Sequence, residues 1–331
     1  MPEAVLGIDV AKLTFDAVLL HGGGGRRRRR TFQNDQAGHA RCLDWIAAAG
    51  ADQVHACLEA TGRYGEDLAL ALHGAGHVVS VVNPARIRDF ARSKLSRNKA
   101  DGIDAELVGE FCLLLRPAPW APPSPARRRL RELVRLREAL LASLTEYGNR
   151  AAAGPLCESG LRALERVLAA LREQLAAVED AIQQLAATDA ELAGQFALLT
   201  SIPGVGRMTA AGILVELPDV RLFTGAKQAA AYAGLSPRNH RSGTSVNAPA
   251  RLSKMGSACL RRRLYMPALT ALRFNPVVRR LRDRLRAQNR LRPKQIVGAA
   301  MRKLLQLCYG VLKTGRPFDP NHGVGPGTAA A

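Results

Sequence analysis

One stretch near the N-terminus, Val5-Leu6-Gly7-Ile8-Asp9-Val10-Ala11-Lys12, restricts the possible folds more than any other. It is apolar at odd and even positions alike, so as a strand it must be covered on both faces. A sheet covered on both faces belongs to a layered α/β structure. Asp9 breaks the pattern. A buried carboxylate without a partner costs several kcal/mol, so Asp9 faces a cation or a polar group at the strand surface, or else caps a turn or pairs with Lys12.

The chain that follows keeps the α/β rhythm to about residue 116. A second strand, Thr14–Leu20, comes in quick succession, then Gly22–Gly25, the arginines Arg26–Arg30 and Thr31-Phe32-Gln33. This reads as a β-meander with a low-complexity second turn. The arginine run is expected to be a solvated loop, with contact to a nucleic-acid backbone as the alternative. Helices are expected over 36–49, 64–75 and 85–96, and strands over 54–60 and 77–82. Asn98–Glu106 opens a further helix, with Asp101 as its N-cap and Asp104 at its third position.

The Pro-rich segment Pro117–Pro125 marks a boundary. Helices follow over 127–150 and 158–197. In the second, Leu161, Leu164, Leu168, Leu171, Leu175, Val178, Ile182, Leu185 and Leu192 recur at steps of three and four, with Asp189 the lapse. Such a repeat is a coiled-coil seam, either within the chain or between chains. Ile202-Pro203-Gly204-Val205-Gly206 then resembles the hairpin of helix-hairpin-helix modules, in which backbone N–H groups at a helix start bind phosphate. Helices at 208–217 and 225–233, a polar loop at 234–245, and helices at 256–273, 275–288 and 293–313 complete the pattern. The tail beyond Gly315 is expected to be disordered.

Charge divides the 331 residues unevenly. The formal net charge is +20, too basic for an ordinary enzyme of small molecules, and it indicates a polyanionic partner. Arg251–Lys303 holds 16 basic residues against a single acid, Asp283. The acids suited to chemistry lie in the N-terminal part. Cys42, Cys57, Cys112, Cys157, Cys259 and Cys308 are scattered, as expected of buried thiols in a reducing, cytoplasmic setting. Neither a signal peptide nor a membrane span is expected.

Four carboxylates stand out: Asp9, Glu59 near the end of a strand, and Asp101 with Asp104 at a helix start. Clustered carboxylates repel one another unless a cation lies among them. Two divalent ions sharing such ligands can activate an attacking oxygen and stabilise a leaving one at phosphorus. Oxygen ligands suit Mg²⁺ or Mn²⁺.

Gly7-Ile8-Asp9-Val10-Ala11-Lys12, Leu58-Glu59-Ala60-Thr61-Gly62, Asn83-Pro84 and Lys99-Ala100-Asp101-Gly102-Ile103-Asp104-Ala105 resemble the DEDD insertion-sequence transposases. In the C-terminal half the resemblance continues through Ile202–Gly206, Tyr232-Ala233-Gly234-Leu235 and Pro237–Gly243. It covers about residues 4–313. It implies an α/β RNase H-like (RuvC-like) N-terminal domain, taken over 1–118, after which the leucine repeat gives a helical coiled-coil region over 119–197. A mostly α-helical transposase domain over 198–314 and a disordered tail over 315–331 would follow.

The resemblance further implies a recombinase that moves its own element, with Asp9, Glu59, Asp101 and Asp104 binding Mg²⁺ or Mn²⁺, two ions in all. A transposase-domain serine attacks DNA, and Ser242 matches best, with Ser236 and Ser245 close by. DNA partners are the element ends and the target, and a structured bridge RNA guides some members. The expected nucleic-acid contacts are Gly204, Gly206, Arg238, His240, Arg241, Lys254, Arg261, Arg262 and Arg263. The chain is expected to act as a dimer or tetramer through 127–197. The rival readings are a junction-resolving endonuclease that only hydrolyses, an actin-like sugar kinase, and a non-catalytic DNA-binding protein. The kinase lacks support because Val10-Ala11-Lys12-Leu13 stands where a phosphate hairpin would be needed.

Overall fold

The computed structural model describes residues 4–21, 27–60, 64–94, 104–154, 157–242, 246–288 and 291–321, with backbone alone for 238–242 and 246–251. The chain divides into two compact units, residues 1–123 and 124–331.

The first unit is built on a five-stranded sheet of order β3-β2-β1-β4-β5. β1 (Ala4–Val10), β2 (Thr14–His21) and β3 (Arg28–Gln33) form an antiparallel meander, while β4 (Val54–Glu59) runs parallel to β1 and β5 (Val78–Val82) parallel to β4. Both faces are covered, as the apolar β1 requires. Leu6, Ile8 and Val10 pack with Cys42 and Ile46 of α1 (Gln36–Ala48) and Leu68 and Leu72 of α2 (Glu66–Gly74). Val5 and Cys57 pack on the other face with Ile87 of α3 (Pro84–Ser93) and Val108, Phe111 and Cys112 of α4 (Ala105–Leu115).

The arginine run departs from the loop expected of it. Arg28, Arg29 and Arg30 are the first half of β3, an edge strand whose single buried side chain is Phe32, stacked on Phe15 at 5.3 Å between ring centroids. An edge strand needs little apolar surface, and charge on it blocks pairing with another sheet. Gly22–Arg26 lie outside the described residues. The α4 start also differs. Asp104 is the N-cap, its carboxylate accepting from the Glu106 amide at 3.3 Å, and Asp101 lies outside the described residues.

The second unit is helical apart from one hairpin. α5 (Pro125–Ala152) and α6 (Glu158–Thr188) pack side by side, tied by Arg137 Nε to Glu179 Oε1 at 2.6 Å. The helix expected to reach residue 197 ends at 188. Asp189, the lapse in its repeat, instead N-caps α7 (Ala190–Thr200) by accepting from the Leu192 amide at 2.9 Å. α8 (Arg207–Glu216), α9 (Ala226–Tyr232), α10 (Ala258–Phe274), α11 (Pro276–Ala287) and α12 (Pro293–Thr314) enclose a core centred on Leu304, Leu305 and Cys308.

Two further expectations are corrected in this unit. The polar loop at 234–245 contains β6 (Pro237–Ser242), paired antiparallel with β7 (Val246–Leu252). The tail is held beyond Gly315: the Phe318 amide donates to Ser201 Oγ at 2.8 Å, and Arg280 donates to the Pro320 carbonyl at 2.6 Å. Residues 322–331 lie outside the described residues. Cys42, Cys57, Cys112 and Cys308 are buried, but Cys157 is exposed. Among the described residues no helix is long and apolar enough to cross a membrane.

Asn275 joins α10 to α11 and is fully buried. Its Oδ1 accepts from the Val277 and Val278 amides at 3.0 and 3.2 Å, and its Nδ2 donates to the Pro203 carbonyl at 3.2 Å. Asn275→Ala strands three partners, the Val278 amide among them buried, so the expected loss is about 2–3 kcal/mol in urea unfolding. A loss below about 0.5 kcal/mol would show that the junction does not depend on this side chain.

Candidate active site

The site in the first unit is set by a contact between glycines. A side chain at Gly7 would meet the Ala105 carbonyl oxygen at 2.1 Å and the Gly109 nitrogen at 2.3 Å, so the backbone of α4 lies directly on β1. Side chains of a strand alternate, and Val5 and Gly7 face α4. Asp9 is the next residue on that face, beside the start of α4 where Asp104 caps the helix. The register does the rest. Asp9 is directly opposite Asp16 of β2, and Gly7 is paired with Cys57 of β4, so two residues further Glu59 is alongside Asp9.

The electrostatics follow this placement. Partial burial pushes the Asp9 carboxyl above its ordinary range, and the charges of Asp16 and Asp104 push it further; the Val10 amide and Arg29 oppose this. Glu59 is raised by burial and then by Asp9, against the pull of Arg88. Asp16 is lowered, first by the hydroxyl of Thr31 and then by Arg29, which together outweigh burial. Arg29 Nη2 donates to Asp16 at 2.9 Å, and its Nη1 is 3.6 Å from Asp104. Arg27 pairs with Glu106. Arg29 therefore acts as a counter-charge in this carboxylate corner, and Arg27 pairs in the first turn of α4.

Asp16 and Arg29 are absent from the sequence-based site. The signal for Asp16 was available: only Ala11–Leu13 connect β1 to β2, and the Ala11 amide donates to the Thr14 carbonyl at 2.9 Å, so a hairpin must bring residue 16 opposite residue 9. Asp9 feels the charge of Asp104, and Glu59 that of Asp9, while Asp101 lies outside the described residues. Among the described residues no group of three or more Asp, Glu, His or Cys side chains is arranged to hold a metal ion. The donors nonetheless fit a hard divalent cation in kind. They are all carboxylates, and burial first, then the charge of neighbouring carboxylates, raises Asp9 and Glu59.

The other candidates lie in the second unit. Gly204 has φ +102°, and a side chain there would approach Ala271 Cβ at 2.9 Å, so the loop before α8 requires glycine. Gly206 is the N-cap of α8. Arg238, His240, Arg241 and Ser242 belong to β6, where Ser242 pairs with Val246 and the register shifts between Arg238 and His240. Lys254 adopts a left-handed φ of +54° just after β7. The three arginines of α10 differ in availability. Arg261 donates to the Ala233 and Gly256 carbonyls at 2.9 and 3.1 Å, and Arg263, nearly buried, pairs with Glu138 at 3.0 Å. Arg262 is the exposed one, 3.7 Å from Glu138.

Comparison with known proteins gives two family matches. Residues 6–153 match a family described as "Transposase", and residues 196–282 match the "Transposase IS116/IS110/IS902 family". The pilin gene-inverting protein of Moraxella bovis is 33% identical over 322 residues, covering 96% of this chain and 98% of that protein. Its counterpart in Moraxella lacunata is also 33% identical over the same shares. The transposase for insertion sequence element IS1111A of Coxiella burnetii is 25% identical, over 81% of this chain and 78% of its own. Full-length identity of this order, with one family matched in each half, shows that the chain belongs to the IS110-type DEDD transposases, enzymes that recombine DNA.

Proposed function

We propose that the chain transposes its own insertion sequence by metal-assisted strand cleavage and exchange, with Ser242 as the nucleophile. The family implies dependence on a divalent cation, which we assign as Mg²⁺ or Mn²⁺, two ions held by Asp9, Glu59, Asp101 and Asp104. A bound ion there would supply Lewis-acid stabilisation of charge developing at phosphorus. The observation that supports the reading is the register that sets Asp16 opposite Asp9 and Glu59 alongside it, with Asp9 also feeling the charge of Asp104. The antiparallel β1–β3 meander continued by parallel β4 and β5 supports an RNase H-like fold.

The serine step conserves bonds. As the Oγ–P bond of Ser242 forms, one bridging P–O bond of the DNA breaks; the serine proton passes to a base and the departing oxygen keeps the strand end. The strand remains as a phosphoserine ester, which a second DNA hydroxyl can attack. We assign DNA phosphate contacts to Gly204, Gly206, Arg238, His240, Arg241, Lys254 and the 261–263 arginines, and a bridge RNA as guide. We assign assembly into a dimer or tetramer to a coiled coil over 127–197, which the exposed Leu136, Leu161 and Val167 of the α5–α6 hairpin support.

The test is to incubate the full chain with donor and target DNA and Mg²⁺, trap protein–DNA adducts, and map the modified residue by mass spectrometry. We expect one adduct, at Ser242. An adduct at Ser236 or Ser245 would overturn the assignment, and cleavage without adduct would instead indicate a hydrolysing, junction-resolving endonuclease.

A further inference from the structure

The groove between α10, α11 and α12 carries chemistry that the strand-exchange reading leaves unused. A cavity of about 550 Å³ opens there, walled by Met266, Phe274, Ile296 and Val297 and edged by Arg273 and Arg286. Phe274 and Met266 are 67% and 66% exposed, so neither is spent on the core. Phe274 is also fixed at its base. The next residue is the buried Asn275, which caps α11 and ties the junction to the Pro203 carbonyl. An aromatic side chain on a rigid corner, beside an apolar cavity, has the form of a stacking platform.

The surroundings indicate what stacks. α11 carries Arg279, Arg280, Arg282, Arg284 and Arg286 against one acid, Asp283. Arg282 is committed to the Leu272 carbonyl and to Asp283, each at 2.8 Å, whereas Arg273 and Arg286 have no hydrogen bond or ion pair among the described residues. A second cavity, of about 510 Å³, adjoins the first, since Met266 and Thr270 line both. Its far wall is the loop Ile202–Gly206, which ends at the unpaired amides of the first turn of α8. An apolar cavity edged by guanidinium groups on one side and helix-start amides on the other suits a flat ring joined to anionic groups. A hydrophobic peptide side chain would use the cavity but not this charge.

We propose that the two adjoining cavities take one unpaired nucleotide of the nucleic-acid partner, its base stacked on Phe274 and its flanking phosphates on Arg273, Arg286 and the Gly204–Gly206 loop. The proposal rests on the reading of this unit as nucleic-acid-binding and adds to it a site for an unstacked base. The chemistry is common to single-stranded DNA and RNA.

The test uses the full chain, an oligothymidylate and an oligouridylate each carrying a central 2-aminopurine, and a DNA duplex of equal length. Phe274→Ala should weaken binding of a single strand by about 5- to 100-fold and leave the duplex within about twofold. Phe274→Trp should keep the wild-type affinity. Wild-type protein should quench the 2-aminopurine and Phe274→Ala should not. The same response with both strands, or with one alone, supports the site and identifies the sugar it accepts. Unchanged affinity and quenching in Phe274→Ala would overturn the proposal, as would an equal loss for duplex and single strand. If wild-type protein binds neither, the nucleic-acid reading of the unit falls with it.

Discussion

Replacement of Asp9 by Asn should abolish DNA strand cleavage, by at least about 1000-fold, and at the same time raise the melting temperature measured in chelator by a few degrees. The two effects have one origin. Asp9 is partly buried with Asp16, Glu59 and Asp104 around it, and its carboxyl is pushed above the ordinary range. A group whose pKa is raised by folding stabilises the folded state only while protonated, and that contribution is lost as pH rises through the folded value. Above that folded value the ionised Asp9 therefore opposes folding unless a cation compensates it. The amide of Asn keeps the size and removes the charge. Mg²⁺ or Mn²⁺ should accordingly raise the melting temperature of wild-type protein and leave that of the variant where it is. Wild-type cleavage by Asp9→Asn would overturn the assignment of Asp9.

How much of this was legible in the chain depends on how each element declares itself. β1 was readable because it is apolar on both faces, and Asp9 because it is the one charge there. Glu59 followed for the same reason at the end of β4. The start of α4 was misplaced because Asp101 and Asp104 are equally good caps, and local propensity does not choose between them; Asp104 takes the role. The arginine half of β3 and the whole of β6 are not legible because strand prediction depends on apolar alternation. β3 is an edge strand with one buried residue, and Arg238-Asn239-His240-Arg241-Ser242 of β6 has no apolar residue at all. The pairing of Arg29 with Asp16 and Asp104 follows from the register of β3, which a run of arginines does not disclose. The break at Asp189 was visible as a lapse in a repeat, but its meaning as a cap needed the Leu192 amide.

Gly7→Ala should also eliminate cleavage, although it touches no carboxylate, and it should do so with the opposite effect on stability. The atoms a new Cβ would meet are the Ala105 carbonyl oxygen at 2.1 Å, the Gly109 nitrogen at 2.3 Å and the Gly109 Cα at 2.6 Å. All are backbone, so no rotamer change relieves the contact and α4 as a whole must retreat from β1. We expect a loss of about 3 kcal/mol or more in urea unfolding, at the upper end for overpacking because the neighbour is main chain. Movement of α4 carries its cap, Asp104, away from Asp9 and Glu59, which disperses the corner while leaving every acid in place. Gly109→Ala is the internal control. Its nearest obstacle is Leu20 Cδ1 at 2.9 Å, the far end of a flexible side chain, with Gly7 Cα next at 3.4 Å. That variant should lose only about 1 kcal/mol and keep measurable cleavage. Equal losses in the two alanine variants would mean that the approach of α4 to β1 at Gly7 does not govern the site.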